Sequence, residues 1–205
     1  MAVVTPIVLA AGAATRMGRP KALLPFGEDT CLSLVLRACR DGGAGRPVVV
    51  IGAEANVLRG SLAGEEVVVV ENPAFAESGP ARSLQIGLDA LPSPCDAFLL
   101  YPVDFPLVTG ALVAALRERW EAVRGRGRSI VVPSYHRRRG HPAAFDGRLA
   151  ARFLELPPDA PMHQVLRDRE DEVEHLVVDD PAVVMDMDTP EDYRRCLDAW
   201  RKAVR

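Results

Sequence analysis

The sequence lacks the features that mark several large classes of protein. Its four cysteines form no CxxC pair and no zinc-ligand spacing, which fits reduced thiols in a cytoplasmic protein better than a disulfide scaffold or a zinc site. None of its apolar runs approaches the length of a membrane span, and no basic segment precedes the first of them, so we expect neither a transmembrane helix nor a signal peptide. The net charge of −3 provides no general attraction to nucleic acids or to a membrane surface.

The sequence does contain enough apolar residues for a core. They lie in segments typical of strands and of helices, which alternate along the chain. Its 205 residues, of which 48% are hydrophobic, are expected to form a single domain. Apolar runs typical of buried strands lie at 6–10, 47–51, 67–70, 97–101, 130–132, 173–178 and 183–185. Patterns typical of helices lie at 30–42, 53–62, 81–91, 111–123, 148–155, 162–167 and 190–203. This alternation predicts an α/β fold, a Rossmann-like three-layer sandwich with a mostly parallel sheet.

Residues 133–145 interrupt this alternation. Gly140 lies there between two extended segments, which predicts a small antiparallel hairpin insertion rather than another strand–helix–strand unit. The three consecutive arginines at 137–139 are expected at its solvated tip, where they could also meet an anionic ligand.

The stretch from Ile7 to Gly27 carries the strongest functional signal. A buried strand is followed by a run of small residues at 11–15, and then by Arg16 and Lys21. The backbone N–H groups of such a loop suit an anion. An arginine can bind phosphate oxygens as a fork and a lysine as a point charge. The stretch therefore predicts a nucleotide-phosphate loop at the end of the first strand, although a Gly/Ala-rich turn with two solvated basic residues remains an alternative.

Two better-known phosphate motifs do not fit this stretch. The Walker A loop has four residues between its first glycine and a Gly-Lys-Ser/Thr triplet, whereas five residues separate Gly12 from Gly18 and Lys21 precedes an alanine. The dinucleotide fingerprint has a second glycine where Ala14 stands. The loop is therefore of a different kind.

Three carboxylates follow predicted strands at the same edge of the sheet. Asp104 lies between two prolines after the strand at 97–101, and Asp186 and Asp188 follow the strand candidate at 183–185. Ligands bind at the carboxyl ends of strands in such sheets, and Mg²⁺ takes one or two carboxylates together with phosphate oxygens. We therefore predict that Asp104 and the pair Asp186 and Asp188 form a Mg²⁺ site; the alternative is that Asp188 and Thr189 cap the last helix.

These motifs together resemble those of the MobA-like nucleotidyltransferases. The resemblance rests on Leu9-Ala10-Ala11-Gly12, Arg16-Met17-Gly18, Lys21, Leu23-Leu24-Pro25, Asp104-Phe105-Pro106 and Asp186-Met187-Asp188-Thr189-Pro190. The chain is most similar to the molybdenum cofactor cytidylyltransferases of this group. The resemblance implies a fold of the nucleotide-diphospho-sugar transferase type and the transfer of a nucleoside monophosphate from an NTP to a phosphorylated acceptor, with release of pyrophosphate.

The same resemblance implies roles for individual residues. Those expected to act in catalysis are Arg16, Lys21 and Asp104. Those expected to bind the metal are Asp104 and Asp188, with Asp186 as a helper. Those expected to bind the nucleotide are Leu9, Ala10, Ala11, Gly12, Arg16, Gly18, Lys21, Asn72 and Ser83. Those expected to bind the acceptor are Gly79, Arg82, Gly140 and His141.

The resemblance also implies which substrates are used. Guanylyltransferase relatives carry glycine where this chain has Ala11, so the extra methyl favours CTP over GTP. The acceptor implied is a molybdopterin-type cofactor, and a molybdoenzyme is the implied client. Three alternatives remain open: transfer from GTP or another NTP to a sugar phosphate or other small phosphoester, a glycosyltransferase, and a non-catalytic maturation factor for a molybdoenzyme.

Overall fold

The computed structural model describes residues 2–12, 18–157 and 160–204. The strands in this part of the chain are β1 (Val4–Ala10), β2 (Pro25–Phe26), β3 (Asp29–Thr30), β4 (Val48–Ile51), β5 (Val68–Glu71), β6 (Ala97–Pro102), β7 (Ile130–Tyr135), β8 (Arg138–Arg139), β9 (Ala143–Asp146) and β10 (Val173–Val177). The α-helices are α1 (Cys31–Asp41), α2 (Ala55–Ser61), α3 (Pro80–Asp89), α4 (Gly110–Val123), α5 (Ala150–Leu154), α6 (His163–Arg167) and α7 (Pro190–Ala203).

The main sheet is mostly parallel, as predicted, with β1 at its centre. Its strand order is β10-β7-β9-β6-β1-β4-β5, and β8 pairs with β7 at one end. β1 pairs in parallel with both β4 and β6, whereas β9 is antiparallel to its two neighbours, β6 and β7. The carboxyl ends of β1, β4 and β6 therefore meet at one edge of the sheet.

Helices cover both faces of the sheet and enclose a separate apolar core on each. On one face α1, α2, α4 and α7 contribute side chains such as Leu36, Leu58 and Val113. On the other face α3, α5 and α6 contribute Leu84, Phe153 and others. Neighbouring residues of β1 point into different cores because side chains alternate along a strand. The predicted three-layer α/β sandwich is confirmed.

Threonines begin the three longest helices of the described chain. The side chains of Thr30, Thr109 and Thr189 each accept a hydrogen bond from the backbone N–H three residues further along the chain, at 3.1, 3.4 and 3.2 Å. Such a bond satisfies an N–H group that has no partner inside the helix. At α7 this cap and Pro190 at the first helical position fix where the helix starts, so Asp188 lies just outside it.

The strand predicted at 183–185 is wrong. The chain instead forms a 3-10 helix at Pro181–Val184, and the side chain of Asp180 caps it by accepting a hydrogen bond from the Ala182 N–H at 2.9 Å. Proline suits the first turn of a helix because the missing N–H would have no partner there. Asp186 and Asp188 therefore follow a 3-10 helix and not a strand.

The predicted antiparallel hairpin is present, and Arg137 lies in its turn. The turn is made by His136 and Arg137, whose φ angles are +47° and +65°, and Gly140 follows β8. A Cβ atom on Gly140 would lie 2.2 Å from the carbonyl oxygen of Val183, so the glycine lets two segments pass each other closely. The returning strand β9 joins the main sheet between β6 and β7.

The side chains of the cysteines are mostly buried. All four cysteines are free thiols, and burial raises the pKa of Cys39 to about 12 and that of Cys196 to about 11. Among the residues that the structure describes, no helix is both long enough and apolar enough to cross a bilayer.

Candidate active site

A cavity of about 460 Å³ opens where β1 and β6 end. Both the end of β1 and the segment after β6 line it, which is where ligands bind in open α/β sheets. Its lining residues are Leu9, Ala10, Ala11, Gly12, Lys21, Ala22, Phe75, Ser78, Gly79, Pro80, Ser83, Pro102, Val103, Asp104, Met162 and Asp188.

Lys21 lies between two carboxylates at the mouth of this cavity. Its Nζ donates hydrogen bonds to Oδ2 of Asp104 at 2.8 Å and to Oδ1 of Asp188 at 2.6 Å. Each of the three side chains comes from a different place in the fold: a 3-10 turn at Lys21–Leu23, the segment after β6 and the residue before the α7 cap. The fold therefore brings together one cation and two anions that are far apart in sequence.

The two carboxylates hold Lys21 in its charged form. Burial lowers the pKa of Lys21, but the charge of Asp104 and the hydrogen bonds to Asp104 and Asp188 outweigh burial, so the pKa is raised above its usual value. The side chains of Lys21 and Asp104 are 19% and 21% exposed, whereas that of Asp188 is 56% exposed. The contact to Asp188 is therefore the more solvated of the two ion pairs.

The carboxylate pair fits a divalent cation. Oδ1 of Asp104 is buried and has no hydrogen-bond partner among the residues that the structure describes, which is costly for a charged oxygen. Two carboxylates that share one ammonium group can also share a metal ion. No group of three or more His, Cys, Asp or Glu side chains in the described ranges is arranged for a metal. A cation such as Mg²⁺ binds one or two carboxylates together with phosphate oxygens and water.

The predicted nucleotide loop is described only in part. Leu9, Ala10, Ala11 and Gly12 line the cavity, and a Cβ atom on Gly12 would meet none of the described atoms within 4 Å. Arg16 is predicted to bind the nucleotide and to act in catalysis. It is one of residues 13–17, which lie outside the described part of the chain.

Asn72 and Ser83 bind each other beside the cavity. The Asn72 amide donates to Oγ of Ser83 at 3.0 Å and to Oγ of Ser78 at 3.2 Å, and its Oδ1 accepts from the N–H of Ala74 at 3.1 Å. Asn72 is almost fully buried and Ser83 lines the cavity. Asn72 therefore holds the loop before α3 in shape, and its binding to a nucleotide stays a prediction.

The residues predicted to bind the acceptor lie in different places. Gly79, which caps α3, lines the cavity, whereas Arg82 is exposed on the first turn of α3 and Gly140 is buried beneath the hairpin. The ring of His141 packs 4.9 Å from that of Phe105, and its Nδ1 is buried without a partner among the described atoms. Their roles toward an acceptor stay predictions.

His141 and Asp186 do not line the cavity, although Asp104 and Asp186 both lie close enough to His141 for their charges to act on it. Burial lowers the pKa of His141, while the charges of Asp104 and Asp186 act in the opposite direction. Asp186 is therefore close enough to influence His141, but it is not one of the described residues that line the cavity. Of the two acids proposed as second metal ligands, the structure places Asp188 beside Asp104.

Sequence reasoning missed Phe75, Ser78 and Met162, which also line the cavity. Ser78 could have been suspected, because it belongs to the polar loop that includes Asn72. Met162 precedes a short helix with no motif around it, and only the packing of the chain brings it to this edge.

The helix α7 links Asp188 to the segment that carries Lys21. Tyr193 packs edge-on against Phe26 of β2, with ring centroids 5.7 Å apart, and its hydroxyl donates to the carbonyl of Pro25 at 2.5 Å. β2 begins four residues after Lys21, and α7 begins two residues after Asp188. This contact therefore helps to fix the positions of Lys21 and Asp188 relative to each other.

We expect Tyr193→Phe to lower the melting temperature by about 2–4 °C, because a lost hydrogen bond costs about 1 kcal/mol in a chain of this size. Thermal unfolding followed by circular dichroism measures the effect. Tyr193→Leu, which also removes the ring contact with Phe26, should cause a larger drop. Equal melting temperatures for wild type and Tyr193→Phe would contradict the linking role of the hydroxyl.

Comparison with known proteins identifies a protein family and individual relatives of this chain. The model of the MobA-like NTP transferase domain matches residues 6–175. The chain is 30% identical to nicotine blue oxidoreductase of Paenarthrobacter nicotinovorans over 95% of its length and 96% of the relative. It is 25% identical to molybdenum cofactor cytidylyltransferase of Escherichia coli over 94% of its length and 95% of the relative. A match to the bifunctional protein GlmU of Kineococcus radiotolerans, 35% identical over 54% of the chain, spans only 23% of that longer protein.

Solved structures show the same fold. The crystal structure of Rv0371c from Mycobacterium tuberculosis H37Rv is 31% identical with a TM-score of 0.80, covering 96% of this chain and 98% of the other. A complex of Rv0371c with manganese is 28% identical with a TM-score of 0.78, covering 97% and 100% of the two chains.

Proposed function

This chain belongs to the MobA-like NTP transferase family, and we propose that it transfers CMP from CTP to the phosphate of a molybdopterin-type cofactor and releases pyrophosphate. The observation that carries the proposal is the meeting of Lys21, Asp104 and Asp188 at the cavity beside the end of β1. The similarity to a molybdenum cofactor cytidylyltransferase over 94% of the chain supports the choice of nucleotide and acceptor. The nucleotide-loaded cofactor would then pass to a molybdoenzyme client.

The chemistry needs alignment and charge neutralisation more than a general base. A phosphate monoester already carries a charge of about −1.5 to −2 at neutral pH, so it can attack the α-phosphate of an NTP without losing a proton to the protein. The difficulty is that two anions must meet. Lys21 in the lining of the cavity gives the phosphates a positive charge, and Gly12, where a Cβ atom would meet none of the described atoms within 4 Å, gives them close access to the backbone.

We propose that Asp104 and Asp188 hold Mg²⁺ as the cofactor. Oδ1 of Asp104, buried and without a partner among the described residues, and the exposed Asp188 offer carboxylate oxygens from two sides. Bound there, the cation would neutralise charge that develops on the pyrophosphate leaving group. The manganese complex of Rv0371c supports a divalent cation in a protein of this fold.

We assign the selection between CTP and GTP to Ala11, which is 5% exposed and lines the cavity. We expect Ala11→Gly to raise the ratio of GTP to CTP turnover by about tenfold, because one methyl group in a pocket is worth about 1–3 kcal/mol of discrimination. The kcat/KM values for both nucleotides measure this ratio. An unchanged ratio would show that the base contacts another part of the cavity.

Release of pyrophosphate from each of the four NTPs, with and without molybdenum cofactor, tests the proposed function. We expect release from CTP that depends on the molybdenum cofactor. Release that depends on a sugar phosphate instead would replace the acceptor, and release from GTP would replace the nucleotide. No release from any NTP with any of these acceptors would overturn the assignment.

Oxidation–reduction is a second candidate function, favoured by the 30% identity to nicotine blue oxidoreductase over nearly the whole chain. A redox reaction consumes a reductant and releases no pyrophosphate. Oxidation of a reduced nicotinamide by the purified chain, with no pyrophosphate formed from any NTP, would favour this candidate.

A further inference from the structure

We propose that Lys21 and the divalent cation compete for the same carboxylates, so that the lysine stabilises the empty site and is released to the triphosphate when the cation binds. The inference rests on the proposed function, because it concerns how that site is loaded. It goes beyond phosphate binding by Lys21, since it predicts that Lys21 opposes binding of the cation alone.

The first argument is geometric. Lys21 Nζ donates to Oδ2 of Asp104 at 2.8 Å and to Oδ1 of Asp188 at 2.6 Å, so its ammonium group holds one oxygen of each carboxylate. Oδ1 of Asp104 is buried and has no partner among the described residues, and a cation held there would lie close to the ammonium group on the other oxygen of the same carboxylate. A cation held by both carboxylates would therefore share them with Lys21, and the repulsion between the two positive charges would favour release of the ammonium group from at least one of them.

The second argument is a balance of charge. Two carboxylates and one ammonium leave one net negative charge, whereas adding a divalent cation without moving the lysine would leave an excess of positive charge in a partly buried site. The contact of Lys21 with Asp188 is the more exposed ion pair and hence the weaker one. We infer that this contact opens first.

The third argument concerns the nucleotide. A released ammonium group at the mouth of the cavity needs an anion, and the phosphates of an NTP supply several. Binding of the nucleotide and binding of the cation should therefore strengthen each other, because each removes a charge that the other leaves unbalanced. The cation alone should bind weakly.

The composition of the chain makes the exchange directly observable. It contains two lysines, Lys21 and Lys202, and Lys202 is exposed on α7. Full-length protein labelled with ¹³C at the lysine side chains therefore gives two sets of Cε signals. Titration with Mg²⁺ in the absence of nucleotide should shift the Lys21 signal and leave that of Lys202 in place.

Calorimetric titration with Mn²⁺ gives the second measurement. We expect Lys21→Met to lower the Kd for Mn²⁺ alone by about tenfold relative to wild type, because no charged hydrogen bonds have to be broken. Arg59→Met is the matched control: it removes a cation whose guanidinium contacts Glu71 at 2.8 Å, away from the cavity lining, and should leave the Kd unchanged.

Two results would overturn the exchange. One is a Lys21 signal that does not move when Mg²⁺ is saturating, and the other is an equal or higher Kd for Mn²⁺ in Lys21→Met. Neither result depends on turnover, so a chain that binds the cation by this exchange but releases no pyrophosphate would refute the proposed function alone.

Discussion

Replacing Asp104 by asparagine is expected to lower pyrophosphate release about 10³-fold. A metal ion stabilises the transition state by several kcal/mol, and about 4 kcal/mol corresponds to three orders of magnitude in rate. The asparagine would keep the size of the side chain but lose the negative charge that Asp104 shares with Lys21 and offers through its buried Oδ1. The measurement is kcat at saturating CTP, acceptor and Mg²⁺.

Three further variants show whether the loss of turnover is specific to the proposed metal ligands. Asp89→Asn removes an exposed carboxylate at the end of α3 and should leave kcat unchanged. Asp188→Asn should also lower turnover, whereas Asp186→Asn should have the smaller effect, since Asp188 is the acid that shares Lys21 with Asp104. Turnover by Asp104→Asn close to that of wild type would remove the carboxylate pair from the mechanism.

A large loss of stability is expected from Gly140→Ala. A Cβ atom there would lie 2.2 Å from the backbone oxygen of Val183 and 2.8 Å from its Cβ, and neither can move without shifting the 3-10 helix Pro181–Val184. Overpacking of this kind costs about 3 kcal/mol, which corresponds to a fall in melting temperature of about 6–12 °C.

Gly60→Ala is the matched control for this prediction. Gly60 lies inside α2, and a Cβ atom there would meet none of the described atoms within 4 Å. Alanine is about 1 kcal/mol more favourable than glycine inside a helix, so the melting temperature should be unchanged or slightly raised. A fall for Gly140→Ala no larger than that for Gly60→Ala would show that the close approach to Val183 is easily relieved.

The parallel part of the fold was predictable because local and long-range preferences agree there. Runs such as Val48–Ile51 are too apolar to lie anywhere but in a buried strand, and threonine caps mark helix starts. At the apolar triplet 183–185 the local and long-range preferences do not agree. Three residues are too few to distinguish the periodicity of a strand from that of a helix, and the preceding Asp180 and Pro181 start a helical turn. The turn at His136 and Arg137 uses positive φ angles at residues other than glycine, which no sequence pattern signals.

The candidate site was predictable in its parts but not in its arrangement. Strand ends in a parallel sheet converge, which places Asp104 near the end of β1. The sequence assigns Lys21 to the phosphates and the acids to a metal, and gives no sign that they contact each other. That contact depends on the packing of α7 against β2, at opposite ends of the chain, through residues such as Tyr193 and Phe26. The single-domain organisation stays a prediction.

The position of β9 also sets the order in which the sheet can be completed. β9 separates β6 from β7, yet it is synthesised after both. During translation, β5, β4, β1 and β6 are synthesised before β9. The edge of β6 that pairs with β9 therefore stays without this partner until residue 146 has been added. Unpaired edges pair readily with other chains. The nascent protein is thus exposed to aggregation while the ribosome adds the residues between 102 and 146.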